Sequence, residues 1–356
     1  MVAIGTRSTG KNTRSMVDIV LNEEKLEERL TTPSERDVAA ASQLESDVMI
    51  LGAGGKIGPS LAVRVARAIK KAGLKHRVIA VVRKEREGTF GRFSESVEVV
   101  EADLLDPKSF DTLPDAQNVV FMVGRKFGSV GDLPLTWATN AWIAGLAAQR
   151  FRRSRIVVFS TGNVYPFVSV DGPGAPEHTT VAPVGEYAQS TLARERIFEY
   201  FSNTYRTPVL LFRLNYAVDL RYGVLLDICE KVFYGEPIDL TTGFVNVIWQ
   251  GDANSYCFRS FALCDSPAQT LNVTGLKKLS VRDVAHRFGH RLGKQPNFVG
   301  TESKSALLSD ASRCTELLGA PDINEDELIE MTADWFSAGG VTLGKPTGFE
   351  RRDGNF

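Results

Sequence analysis

From Asp47 onward the chain alternates short aliphatic runs with long amphipathic segments, and this rhythm restricts the fold more than any other feature. Apolar runs at residues 48–51, 78–82, 97–100, 119–123, 156–159 and 209–212 read as strands. The segments 57–72, 133–149 and 186–203 between them read as helices. A strand of consecutive Val, Ile and Leu buries both faces, and intervening helices supply the cover. The pattern predicts an α/β domain over residues 46–213, with a doubly wound parallel sheet.

Past Arg213 the rhythm loosens. Helices are expected at 224–232, 281–292, 305–318 and 325–336, with strands near 245–248 and 271–273. Residues 214–338 therefore read as a smaller mixed α/β region forming the second wall of a cleft. Residues 339–356 are Gly-rich and of mixed charge, a flexible tail or a lid. Residues 1–45 read as a helical extension: an amphipathic stretch at 17–30, then a restart at Thr32-Pro33-Ser34-Glu35. There Thr32 fits an N-cap, Pro33 the first helical position and Glu35 the capping-box acid.

Charge is balanced, with 42 Lys and Arg against 43 Asp and Glu for a net charge of −1. That lacks the footprint of a general nucleic-acid binder and points to small molecules or a second copy of the chain as partners. Cys229, Cys257, Cys264 and Cys314 show no C-x-x-C spacing, and there are 4 His. Neither a zinc site nor a disulfide framework is expected, and the thiols suit the cytoplasm. No apolar run approaches the roughly 18–20 residues that span a bilayer. Arg7, Lys11 and Arg14 precede the first acid, Asp18; a disordered tail is the favoured reading over a transit peptide.

The run 48–51 leads into Gly52-Ala53-Gly54-Gly55-Lys56-Ile57-Gly58. The glycines fall at 52, 55 and 58, between a predicted strand and a predicted helix. Gly52 permits a tight turn, Gly55 lets the backbone approach a pyrophosphate, and Gly58 lets the helix pack close to the strand. The phosphates, flanked by Lys56 and Ile57, would rest on the helix N-terminus. The turn thus predicts a Rossmann fold that binds NAD or NADP. The second strand ends at Arg83-Lys84, where a carboxylate would favour NAD. Cations suit a 2′-phosphate, so NADP is favoured, the alternative being that Arg83 stacks on adenine with NAD bound. Asp103 and Leu104, after the third strand, are candidates for the adenine edge.

Three further segments carry chemistry. The fifth strand runs into Phe159-Ser160-Thr161-Gly162-Asn163-Val164-Tyr165. A helix opens Glu186-Tyr187-Ala188-Gln189-Ser190-Thr191. The fourth strand ends Val123-Gly124-Arg125-Lys126, and Asn140 lies on the helix that follows. With the glycine turn, these resemble the extended short-chain dehydrogenase/reductase superfamily, in its NAD-dependent epimerase/dehydratase branch. The resemblance spans residues 47–336 and is looser after Arg213. It implies Thr161 as the catalytic hydroxyl and Tyr187 as the tyrosine of the family's Tyr-x-x-x-Lys. It matches Asn140 to the family's helix Asn and Gly124-x-Lys126 to a turn near cofactor and sugar. Val123 and Gly124 would border the cofactor, and two long helices, here 133–149 and 186–203, would pair two copies into a homodimer.

One departure stands out. The family's Lys falls at position 191, which is Thr. A free phenol has a pKa of about 10, so ionising it at pH 7 costs roughly 4 kcal/mol, and a nearby cation supplies much of that. The Thr191 hydroxyl can reach toward the ribose but carries no charge. Lys126 and Arg194, two helical turns past Tyr187, can stand in, and Lys126 is favoured. The expected function is an NAD(P)-dependent oxidoreductase or epimerase acting on the hydroxyl of a sugar, sugar acid or nucleotide-sugar. The alternative is a protein that binds the dinucleotide as a sensor or scaffold without turnover. A dehydratase ranks lower, because Thr161-Gly162-Asn163 lacks an adjacent acid pair. His178, Asn215 and the tryptophans Trp137, Trp142 and Trp249 are secondary: His178 reads as a surface residue, Asn215 as a substrate contact, the tryptophans as core.

Overall fold

The computed structural model describes residues 22–83, 93–129 and 131–355. The tail expected at residues 1–15, the start of the stretch at 17–30 and Lys84 lie outside them. Seven parallel strands form the main sheet: β1 (Val48–Leu51), β2 (Val78–Val82), β3 (Glu98–Glu101), β4 (Asn118–Phe121), β5 (Arg155–Thr161), β6 (Val209–Leu214) and β7 (Gln269–Val273). Their order is β7-β6-β5-β4-β1-β2-β3. Val48 pairs with Val78 on one side and with Asn118 on the other. The direction of winding reverses between β1 and β4, and the crevice outside their carboxyl ends is where open sheets of this kind bind ligands.

Both faces of the sheet are covered, as the unbroken aliphatic strands require. Val48 and Ile50 pack with Leu61, Ala62 and Val65 of α3 (Gly58–Lys71). Met49 and Leu51 face the other way, toward Phe121, Phe151 and Phe198. A second core joins α8 (Val224–Tyr234), α10 (Val281–Leu292) and α12 (Glu325–Ser337). Leu26 and Leu30 of α1 (Glu23–Thr31) are buried in that same core, so the N-terminal helix is built into the far wall. Between these lie α2 (Glu35–Ala41), the single turn α4 (Ser109–Thr112), α5 (Leu133–Trp137), α6 (Ile143–Arg150), α7 (Gly185–Tyr205), α9 (Gln250–Arg259) and α11 (Ser312–Leu318). No helix among the described residues is long and apolar enough to cross a membrane.

Several boundaries differ from the sequence reading. Helix α2 is capped by Ser34, not Thr32: Ser34 accepts from the Asp37 N–H, and the Asp37 carboxylate accepts from the Ser34 N–H at 2.8 Å. Asp37 is also bound by buried Arg64 at 2.7 Å, which fixes it as the capping-box acid. Thr32 instead closes α1, its hydroxyl donating to Glu28. The helix expected at 305–318 starts only at Ser312, because Ser305–Ala306 pairs antiparallel with Val168–Ser169 and the Leu308 carbonyl accepts from Ala175. The helix expected at 133–149 is interrupted by a π turn at Ala138–Trp142, and β4 ends two residues early, at Phe121. Trp249 is core, but Trp137 and Trp142 are 37% and 54% exposed on that interrupted helix. Cys264 is half-buried and the other three cysteines are buried, all as free thiols.

Candidate active site

The glycine turn has the geometry its spacing implies. Gly52 sits at φ +83°, and a Cβ there would lie 2.8 Å from the Val123 backbone. A Cβ on Gly58 would lie 2.1 Å from the Ala53 carbonyl, so α3 packs directly on the turn. Gly55 is different: the nearest atom to an added Cβ is 3.9 Å away, on the exposed side. Helix α3 starts without a side-chain cap and without an acid in its first turn. Its first N–H groups are therefore free of side-chain competition, and the exposed Gly55 backbone lies beside them. An anionic pyrophosphate fits this cradle.

Of the outer cofactor candidates, Arg83 is exposed at the end of β2. Asp103 is exposed and its carboxylate accepts from the Leu105 N–H. Leu104 is buried in the core beside Leu51 and Val81, so it is a packing residue and not part of an open adenine edge.

Asn140 is fully buried at the π turn and does not face the crevice. Its Oδ1 accepts from the Arg125 N–H at 2.8 Å, and its Nδ2 donates to the Arg125 carbonyl at 3.1 Å and to the Ser190 hydroxyl at 2.9 Å. It holds the loop 124–126 from behind, a positioning role in place of the cofactor contact expected. The π turn widens the helix where this happens, a common local irregularity at functional sites. Thr191 is also turned inward: its hydroxyl donates to the Tyr187 carbonyl at 2.8 Å, one helical turn back, and not toward a ribose.

Thr161, Tyr187, Lys126, Gly124 and Arg194 border one cavity of about 270 Å³ at the carboxyl ends of β4 and β5. Thr161 ends β5, where its hydroxyl donates to Asn163 Oδ1 at 3.1 Å. Beneath it, Ser160 donates to Glu195, and Glu195 pairs with Arg213 at 2.7 Å. Arg213 also donates to the Tyr165 hydroxyl at 2.7 Å, which in turn donates to Asn272. Every charge in this buried chain has a partner, so it anchors the floor of the site. Removing one partner of such a pair costs about 3–5 kcal/mol.

Arg194 occupies the interior beside the phenol of Tyr187. It donates to the Phe159 carbonyl at 2.8 Å, to the Asn140 carbonyl at 3.1 Å and to Asn140 Oδ1 at 3.2 Å. Burial pushes its guanidinium down to about 10, while Tyr187 and Glu195 pull the other way. A Cβ on Gly124 would lie 3.1 Å from Arg194 Nη2, which explains a small residue there. Lys126 approaches from the β4 side, its Nζ 5.9 Å from the Tyr187 ring centroid. Burial pushes that ammonium down to about 8, opposed by Asp227. Lys56 reaches from the glycine turn to within 3.0 Å of the Tyr222 ring centroid. Burial pushes it down to about 7, with Lys345 and Lys126 adding to the effect.

Asn215 also borders the cavity and donates to Asn246 Oδ1 at 3.0 Å, while His178 is exposed away from it. Tyr216, Tyr222, Asn163 and Thr347 complete the wall without having been singled out by sequence. Asp227, which accepts from Thr347, was likewise not singled out. A larger groove of about 1280 Å³ lies at the opposite end of the strands, near Arg152 and Ser154, away from the switch point.

Together the sheet order, the glycine turn and the cavity define a doubly wound α/β protein with an active-site-like crevice at its switch point. The model of the NAD dependent epimerase/dehydratase family matches residues 48–217. Over that segment the chain is similar to this family. Solved structures share the fold. A structure of MoeE5 in complex with UDP-glucuronic acid and NAD superposes with a TM-score of 0.66 at 19% identity, covering 83% of this chain and 100% of that one. UDP-glucose 4-epimerase from Thermotoga maritima, with UDP-glucose, gives 0.67 at 17% identity, covering 82% and 99%. dTDP-glucose 4,6-dehydratase from Bacillus anthracis, in complex with NAD, gives 0.67 at 16% identity, covering 82% and 96%. No curated protein matches the chain.

Proposed function

We propose that this chain is an NAD(P)-dependent oxidoreductase or epimerase that acts on the hydroxyl of a sugar or sugar-derived substrate. The observation that carries the reading is the convergence of Tyr187, Thr161, Arg194 and Lys126 on one cavity above the glycine turn. The turn and the uncapped start of α3 would hold the pyrophosphate. When bound, the dinucleotide supplies a nicotinamide carbon that accepts hydride from the substrate carbinol and can return it. Tyr187 takes the hydroxyl proton as the C–H bond breaks, and Thr161 donates a hydrogen bond to the same oxygen. Arg194 and Lys126 stabilise the phenolate that precedes this transfer, the task the family gives to its missing Lys. Asn140 keeps the loop 124–126 and Arg194 in register.

Two copies pair through the helices that border the site. Leu133, Trp137, Trp142 and Tyr200 are large apolar residues exposed on α5, the π turn and α7, which lie side by side. Such surface is typical of an interaction face. Sedimentation of the protein and of Trp142→Glu tests this pairing, which predicts a dimer and a monomer respectively.

The enzymatic reading is tested by incubating the pure protein with NAD⁺ or NADP⁺ and a panel of sugars, sugar acids and nucleotide-sugars. Reduced nicotinamide appears with at least one substrate and is lost in Tyr187→Phe. Tight dinucleotide binding with no turnover on any of them, and no effect of Tyr187→Phe, contradicts it.

A further inference from the structure

Residues 339–355 run as a strap from one wall of the cavity to the other. On the far wall the Leu343 N–H donates to the Arg221 carbonyl at 2.9 Å. Thr347 donates to Asp227 Oδ2 through its N–H at 2.8 Å and its hydroxyl at 2.5 Å. Glu350 accepts from Lys231 at 2.6 Å, and Phe349 is buried in the second core. Beyond that point the strap crosses over. Arg352 donates to the Ser305 carbonyl at 2.8 Å and lies 4.0 Å from the centre of the Phe167 ring. Gly354, at φ +74°, then meets Gly185, at φ +81°, the first residue of α7. A Cβ on Gly354 would lie 2.3 Å from the Val184 carbonyl, so the two backbones touch. Tyr187 stands two residues further on.

The strap forms part of the cavity wall, because Thr347 lines it beside Tyr222 and Val224. A reacting carbon must sit between Thr161 and Tyr187. The remainder of a large substrate would have to leave on one of two sides. Toward the glycine turn, Lys56 closes on Tyr222, and the dinucleotide takes the space beyond. The other side is crossed by the strap. The whole cavity measures about 270 Å³, of which a nicotinamide ring beside Tyr187 would take a part; even undivided it is below the roughly 300 Å³ at which pockets for drug-sized ligands begin.

We infer that the strap restricts this site to a free monosaccharide, a sugar acid or a hydroxyl compound of similar size, and excludes sugars joined to a nucleoside diphosphate. The inference rests on the hydride-transfer reading for the chemistry, but its size limit is measured separately.

The test uses the full chain and Gly354→Val, whose branched side chain collides with the Val184 carbonyl and lifts the strap end from α7. Circular dichroism verifies that the variant is folded; Thr347→Ala, which removes the hydroxyl bond to Asp227, serves as a second opening. Each protein is titrated calorimetrically with UDP-glucose, with and without NAD⁺, and assayed with free aldoses and hexuronates. The expected result is no UDP-glucose binding by the unaltered protein, turnover of a free sugar or sugar acid, and UDP-glucose binding at least about tenfold tighter in the opened variants. UDP-glucose binding or turnover by the unaltered protein overturns the inference. So does a lack of binding in all variants, because the strap is then not the barrier. Turnover of UDP-glucose by an opened variant, with no free sugar used by the unaltered protein, also overturns it. Failure to bind either dinucleotide defeats the hydride reading, while the titrations without NAD⁺ still decide the size limit.

Discussion

Arg194 donates to the carbonyl of Phe159 at 2.8 Å, which ties the helix that carries Tyr187 to the end of the strand that carries Thr161. One guanidinium therefore fixes the spacing of the two groups proposed to share the substrate oxygen, and places a positive charge beside the phenol. Lys at this point could not make the same three bonds, because its single ammonium lacks the planar fork.

The role of that charge gives the first prediction. Arg194→Met is expected to lower kcat at pH 7 by roughly 10²-fold, with part of the loss recovered as pH rises and hydroxide does what the cation did. Arg194→Lys should recover some activity with an intermediate pH profile. A uniform loss at every pH, with no difference between the two variants, would mean that Arg194 acts through folding alone.

Proton transfer gives the second. Tyr187→Phe should cost about 10²–10⁴-fold in kcat and Thr161→Val less, with dinucleotide affinity unchanged in both. Loss of affinity parallel to loss of rate would place these side chains in cofactor binding instead.

Gly58 and Gly55 of the turn should separate fold from binding. Gly58→Ala forces a Cβ to 2.1 Å from a backbone oxygen, so it should melt well below the unaltered protein. Gly55→Val meets open space, so its melting temperature should stay close to the unaltered value while dinucleotide affinity falls at least about tenfold. Equal destabilisation by both would deny Gly55 a binding role.

Much of this arrangement was legible before the structure. Residues 78–82 and 281–292 have the bounds read from sequence, because a pure aliphatic run and a Ser280-to-Gly293 frame of caps are local signals. The glycine trio is equally local. The π turn at Asn140 was not, since it follows from hydrogen bonds to Arg125 and Arg194, residues 15 and 54 positions away. The same holds for the strap: a Gly-rich tail carries no periodic pattern, and its contacts with Asp227, Ser305 and Val184 exist only once the walls have folded. The capping of α2 by Ser34 was misread because Asp37, its partner, is selected by a buried ion pair with distant Arg64. Arg194 was recognisable as a residue on the same helical face as Tyr187, but its three anchors on Phe159 and Asn140 were not.

Lys126 supplies a pH test. Burial lowers its folded-state pKa to about 8, below the roughly 10.5 of the unfolded chain. Below pH 8 the folded protein holds a charged ammonium at a cost. As pH rises from about 8 to 10.5 the folded group is neutral while the unfolded one still binds a proton, and the penalty fades. Lys126→Met should therefore be more stable than the unaltered protein near pH 7, with the difference in denaturant midpoint shrinking toward pH 10. A constant difference across that range would show that the ammonium is not held in a low-dielectric site.

The central claim is that a dinucleotide occupies the crevice above β1, next to the Tyr187 phenol. Titration of the purified chain with NADH and with NADPH, followed by nicotinamide fluorescence, tests it directly. The account predicts saturable binding at one site per chain for at least one of the two, weakened at least about tenfold by Gly55→Val. Absence of saturable binding for both, in protein that is folded by circular dichroism, would contradict it.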